Sequence, residues 1–218
     1  DELVEPGETP GPHEIVTSNN FGLAAMLARI GSEPRMLPIA RDNRESLMAA
    51  LEGAEGADLL VTLGGASVGE HDLVARVLGE AGLALDFYKI AMRPGKPLMA
   101  GRMGSLAMLG LPGNPVSAIV CGEVFLRPAI ERALGLPGGR RATVTARLAH
   151  DLAANGPREH YMRARFLEGD DGTRRVEVFS NQDSSLLATL SRADALALRA
   201  PGAPPAPAGT PVPCIPLD

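Results

Sequence analysis

The chain of 218 residues has no apolar run of 18 or more, so no stretch is long enough to be a membrane-spanning helix. It has no surplus of basic residues. A net charge of −5 argues against a nucleic-acid binder. Only two cysteines occur, Cys121 and Cys214, and no CxxC. That His13, His71, His150 and His160 never pair at ligand spacing argues against a structural zinc, and the cysteines read as buried free thiols of a reducing, cytoplasmic compartment. There is no GxSxG around Ser67 and no base partner to make it a nucleophile. No signal peptide is read, and no initiator methionine either, so the expectation is a chain without its N-terminal portion. What is present is 45% apolar residues, enough for a real core.

The pattern is organised around residues 58–72, DLLVTLGGASVGEHD. Leu59 to Leu63 has the length and β-branched content of a buried strand, and Leu73, Val74, Val77 and Leu78 follow at helical spacing. Gly64, Gly65 and Gly69 let the backbone turn sharply, and the amides opening the next helix favour an anion. Gly64 and Gly69 have Walker spacing, but Glu70 and His71 stand where lysine and Ser/Thr would follow, which argues against a triphosphatase. The glycines do not form GxGxxG either, so the dinucleotide fingerprint is absent. Taken alone the loop is equally well a tight structural turn.

A second unit of this kind runs from Leu106–Leu111 into Pro112-Gly113-Asn114-Pro115 and a helical pattern from Val116 to Leu134. Pro115 suits the first turn of a helix. Between the two units lies Lys89-Ile90-Ala91-Met92-Arg93-Pro94-Gly95-Lys96-Pro97, three cations around a Pro-Gly turn. Upstream, residues 1–12 read as an extended lead-in and His13–Thr17 as a short strand. Ser18, Asn19 and Asn20 would cap a helix bearing Leu23, Met26, Leu27 and Ile30. Arg35–Ala40 reads as a second strand, Glu45–Glu52 as a helix, and Leu83–Ile90 as a further strand. Alternation of this kind implies a parallel sheet with ligands beyond its carboxyl edge, so Ser18, Asp42, the Gly64–Asp72 loop and the Pro112–Pro115 loop are expected on one rim.

From Arg140 the period changes to two. Thr143–Ala149, His160–Leu167 and Arg174–Phe179 alternate apolar and polar residues, as antiparallel strands with one wet face do. Ser184–Ser191 reads as a helical turn, with strands at Ala195–Leu198 and Val212–Ile215. The boundary is placed in Leu136-Pro137-Gly138-Gly139, giving domains at 1–137 and 138–218.

GGASVGEHD, KIAMRPGKP and LPGNPVSA in this order resemble the MoeA family, the molybdopterin molybdenumtransferases that include the E domain of gephyrin. The resemblance covers nearly the whole chain. It implies an α/β fold, a three-layer α/β/α MogA-like molybdopterin-binding domain with a mostly parallel sheet, then a small C-terminal β-barrel. It implies insertion of molybdate into adenylylated molybdopterin with release of AMP, and Mg2+ as the divalent ion. Asp42 and Asp72 are the implied metal carboxylates, and they share the catalytic role with Lys89 and Arg93. The alternative for either aspartate is a helix N-cap. Binding would involve Ser18, Asn19, Gly64, Gly65, Ser67, Gly69, Glu70, Lys96, Pro112, Gly113, Asn114, Pro115 and Ser117, with Arg158 and Ser184 from the β region. For those two the bland readings are a solvated arginine and a helix-capping serine.

The sequence departs from the family pattern at Arg93, where many members have lysine, at Thr17 in place of aspartate, and at Asp183 and Ser185 in place of glycines. The family's N-terminal domains are absent, and a homodimer in the longer protein and a molybdopterin adenylyltransferase partner are implied. Two other functions remain open: the adenylyltransferase itself, and a non-catalytic binding or scaffolding module.

Overall fold

A computed structural model describes residues 2–65, 73–169 and 172–217. Along the chain lie β1 (Leu3–Val4), β2 (Ile15–Val16), α1 (Asn19–Arg29), α2 (Arg44–Glu52), β3 (Leu59–Leu63), α3 (Leu73–Glu80), β4 (Ala84–Tyr88) and β5 (Met92–Arg93). β6 (Met99–Met103), β7 (Leu106–Leu111), α4 (Pro115–Cys121) and α5 (Arg127–Ala133) follow, the two helices joined by the wide turn Gly122–Leu126. The rest comprises β8 (Val144–Leu148), β9 (Glu159–Glu168), β10 (Arg174–Val178), α6 (Leu187–Leu190), β11 (Ala195–Arg199) and β12 (Pro211–Pro216). Two compact units result. One comprises residues 1–89, 97–113 and 129–138, the other 90–96, 114–128 and 139–218. The division is thus interleaved: the segments 90–96 and 114–128 group with the C-terminal residues.

In the first unit the sheet order is β3-β7-β6-β4. β3 and β7 pair in parallel, from Leu59 opposite Ala107 to Leu63 opposite Leu111; β7 is an apolar run buried over its second half, and β3, mostly apolar, lies at the edge of the described sheet. β6 and β4 are added antiparallel, so the sheet is mixed. Sequence pattern alone did not show β6, because MAGRM has no β-branched residue and contains a glycine. Its hairpin to β7 turns at Gly104, whose φ of +57° suits glycine. Beneath the sheet Leu78, Leu83, Met99 and Met108 form a buried cluster. The strand expected at Arg35–Ala40 is not formed. Pro34 and Pro38 flank and interrupt that run, and Pro38 has no N–H to give a ladder. Leu3–Val4, expected as lead-in, instead pairs in parallel with β2.

In the second unit β8, β12, β11, β9 and β10 close into a five-stranded barrel, since β10 pairs with both β8 and β9. One of these pairings, β10 with β8, is parallel. The interior is filled by Ala146, Leu148, Ala164, Val176, Ala195, Ala197, Val212 and Cys214. Such small residues fit the narrow lumen of a barrel with few strands. The two-residue β5 adds in parallel to β9, with Met92 opposite Glu159 and Arg93 opposite His160. Glu123 is buried in the turn between α4 and α5, where Arg127 Nη1 at 3.5 Å and Arg141 Nη2 at 3.3 Å offset its loss of water.

Candidate functional site

Two of the expected loops meet at the ends of β3 and β7. Gly64 and Gly65 have φ of +79° and +69°, and the Gly64 N–H donates to Leu111 O at 3.0 Å. A Cβ on Gly113 would stand 3.4 Å from Gly64 Cα, so the glycine turns approach backbone to backbone. Asn19, in the first turn of α1, donates from Nδ2 to Gly113 O at 2.6 Å. Asn19, Gly64, Gly65, Pro112 and Gly113 are thereby assembled at the carboxyl edge of the parallel pair, where an α/β sheet places its ligands. Ser18 precedes α1 without making a capping hydrogen bond. The Thr17 hydroxyl, standing where the family pattern has aspartate, pairs with Asn20 Oδ1 at 3.0 Å. Ser67, Gly69, Glu70, His71 and Asp72 lie outside the described residues.

Asp42 is exposed on the turn before α2 and follows no strand. It is not the helix cap. Asn43 is, its Oδ1 accepting from the Ser46 N–H at 2.8 Å. Among the described residues no group of three or more His, Cys, Asp or Glu could hold a metal. The described donors do not by themselves make a magnesium site.

The cations of the basic bend divide between the units. Lys89, at φ +88°, belongs to the first; its N–H donates to Leu98 O at 2.8 Å and its Nζ lies 5.4 Å from the Tyr88 ring centroid. Arg93 and Lys96 belong to the second and are exposed. Ile90 N–H to Lys96 O at 3.1 Å closes the bend. Gly95 has φ +104°, and a Cβ there would fall 2.3 Å from Cys121 Sγ, so the bend rests on the buried face of α4.

Within the second unit the bend meets the barrel. The β5–β9 register sets Arg93 beside His160, and Arg158 immediately precedes β9. His160 is 7% exposed. Burial, then the charges of Arg93, Arg158 and Arg163, depress its pKa to about 4, so the imidazole is neutral at pH 7. The Asn114 side chain, at the start of α4, donates from Nδ2 to Ser184 Oγ at 3.0 Å, and Val116 N–H donates to Ser184 O at 3.2 Å. The Ser184 loop is held from behind by Arg163, 1% exposed, which donates from Nε to Gln182 Oε1 and from Nη1 to Leu186 O, both at 3.3 Å. Gln182 Nε2 returns bonds to Arg163 O and Phe179 O. Asp183 and Ser185, which replace glycines of the family pattern, shape a local turn: the Asp183 carboxylate accepts from Ser185 N–H and Oγ at 2.8 Å each. Ser117 is buried on α4 and Pro115 opens that helix.

His160 was missed by spacing arguments, which look for pairs of ligands. The signal was its place in the alternation of β9, in phase with Met162 and Ala164. Neither of the two best-formed cavities coincides with the site. One, of about 580 Å³, is lined by Glu2 and residues 11–14, and the other, of about 370 Å³, includes His150, Arg165 and Arg192.

Comparison with known proteins matches residues 1–132 to a probable molybdopterin binding domain and residues 145–217 to the MoeA C-terminal region, domain IV. A molybdopterin molybdenumtransferase of a Nostoc species is 35% identical over 167 residues, which are 74% of this chain and 38% of that protein. Molybdopterin molybdenumtransferase 2 of Mycobacterium tuberculosis is 36% identical over 178 residues, 79% of this chain and 44% of that one. The chain therefore spans less than half the length of these relatives. The crystal structure of a molybdopterin biosynthesis MoeA protein from Pyrococcus horikosii superposes with a TM-score of 0.82 at 29% identity, over 99% of this chain and 51% of the other. No helix among the described residues is long and apolar enough to cross a membrane. With both family models matched in order, and with glycine loops and closed barrel as that fold requires, the chain belongs to the MoeA family.

Proposed function

We propose that this chain carries the oxyanion- and pterin-handling part of a molybdopterin molybdenumtransferase, which inserts molybdate into adenylylated molybdopterin and releases AMP. The observation that supports this most is the placing of Arg93 beside His160 by the β5–β9 register, next to Arg158 and in the same compact unit as the Asn114–Ser184 pair. Molybdate and both phosphates of the substrate are anions. Guanidiniums, a hydroxyl and backbone amides stabilise the charge that builds as the phosphoanhydride breaks. Arg93, Arg158, Lys96 and Ser184 serve the oxyanion, and Lys89 keeps the catalytic role that the resemblance implies. Ser18, Asn19, Gly64, Gly65, Ser67, Gly69, Glu70, Pro112, Gly113, Asn114, Pro115 and Ser117 are the residues proposed for the pterin and nucleotide phosphates.

Asp42 and Asp72 belong to the same proposal as the carboxylates that would hold Mg2+. So do a homodimer of the longer protein, a cytoplasmic setting and delivery of substrate by a molybdopterin adenylyltransferase. The test is release of AMP from adenylylated molybdopterin with and without molybdate, with Asp72→Asn in parallel. Molybdate-dependent AMP release supports the transferase. Pyrophosphate release from ATP points instead to the adenylyltransferase, and tight pterin binding with neither product to a scaffold. An Asp72→Asn protein with wild-type turnover removes Asp72 from the metal site.

A further inference from the structure

The cations of the second unit are unevenly matched. Arg163 and Arg199 are 1% and 6% exposed, yet the hydrogen bonds described for their guanidiniums go to amide and carbonyl oxygens, those of Gln182, Asn181 and Leu186 for Arg163 and of Pro204 for Arg199. Arg199 Nε, buried, has no hydrogen-bond partner among the described residues. Arg163 has the Asp183 carboxylate within electrostatic reach, whereas among the described residues Arg199 has no carboxylate partner, and a buried guanidinium of that kind leaves its surroundings short of negative charge.

His160 stands at the centre of this surplus. Arg93 faces it from β5 and Arg199 from β11, each as its register partner, while Arg158 precedes it and Arg163 follows on its own strand. Glu159 is the adjoining carboxylate, and it is engaged elsewhere: Oε2 accepts from Tyr161 OH at 2.8 Å and Oε1 pairs with Arg140 at 3.0 Å. The positive potential around the imidazole lasts only until an anion arrives. A dianion seated against Arg93 and Arg158 cancels much of their charge and adds its own close to the ring.

We propose that His160 is the proton-accepting member of the oxyanion site, neutral in the free protein and taking up one proton from solvent when a tetrahedral dianion binds, so that molybdate binding and proton uptake are coupled. The inference rests on the reading of Arg93 and Arg158 as oxyanion ligands. It adds a specificity: a doubly charged tetrahedral anion draws the proton in more strongly than a singly charged one. With the free imidazole neutral down to about pH 4, affinity rises as pH falls below 7 and levels off below the free value.

The test is calorimetric titration of the chain with sulfate, whose own protonation lies far below this range, and then with molybdate at neutral pH. Titrations near pH 6 in two buffers of different ionisation enthalpy are expected to differ in apparent enthalpy by a substantial fraction of one proton. Sulfate affinity is expected to tighten several-fold from pH 7.5 to 5.5, at most about tenfold per pH unit for one coupled proton. His160→Gln, which keeps a hydrogen-bonding amide, is expected to lose the pH dependence of sulfate affinity and the buffer dependence of the binding enthalpy. Oxyanion binding with no proton uptake and a flat pH profile overturns the inference and leaves the transferase reading standing. No oxyanion binding at any pH overturns both. The two-buffer comparison on the wild-type chain decides the matter even if the variant does not fold.

Discussion

Gly95 shows how closely a single position is constrained. Its φ of +104° is one that side chains rarely adopt, and the space a Cβ would need is filled by Cys121 Sγ at 2.3 Å. Gly95→Ala is expected to cost about 2–3 kcal/mol in urea unfolding, since strain and overpacking act together. Cys121→Ala in the same chain should recover part of it. The thiols themselves are inert, Cys121 pushed up to about 12 and Cys214 to about 11 by burial, so the native protein at pH 8 should resist alkylation that the urea-unfolded protein undergoes at both. His160 makes the protein sensitive to acid. Its folded pKa of about 4 lies below the unfolded value near 6.5, so the unfolded chain binds the extra proton between these limits. The stabilisation is complete above about pH 6.5, falls as pH drops, and is gone below about 4, a loss on the order of 3 kcal/mol. Denaturation midpoints measured against pH should show this slope for wild type and a shallower one for His160→Gln.

The elements were legible wherever period and length agreed. The strands of the barrel, the helix after Asn43 and the two strand-glycine units follow directly from spacing. Arg35–Ala40 did not, because an apolar run with Pro38 inside it cannot give a ladder its N–H. The hairpin through β6, which lies between β7 and β4, was hidden by Gly101 and the lack of β-branched residues. A Cβ at Gly101 would come 2.4 Å from Ala84 O, which explains why the strand carries glycine against its own propensity. The parallel pairing of β10 with β8 was hidden for another reason: alternation marks a strand but not its neighbour. Asp42 and Asn43 separate capping from chemistry. Asn43→Ala is expected to lose about 1 kcal/mol of stability and Asp42→Ala less, as read from urea midpoints. An equal loss from Asp42→Ala would give that carboxylate a structural role.

For the molecule as a whole, two compact units interleave along the chain, and the basic bend is cut between Lys89 and Ile90. No periodicity could have shown this, since the joining of 90–96 to the barrel rests on two residue pairs, Met92 with Glu159 and Arg93 with His160. The resemblance to MoeA proteins pointed to the loops proposed for the site, and the register brings Arg93, from between the two strand-glycine units of the sequence, beside His160 of the β region. The most direct test is equilibrium binding of molybdate to the wild-type chain, Arg93→Gln and Arg158→Gln. Removing one charge-assisted contact costs about 1.5–3 kcal/mol, so each variant should bind roughly ten- to a hundredfold more weakly while remaining folded. Unchanged affinity in both folded variants would contradict the account.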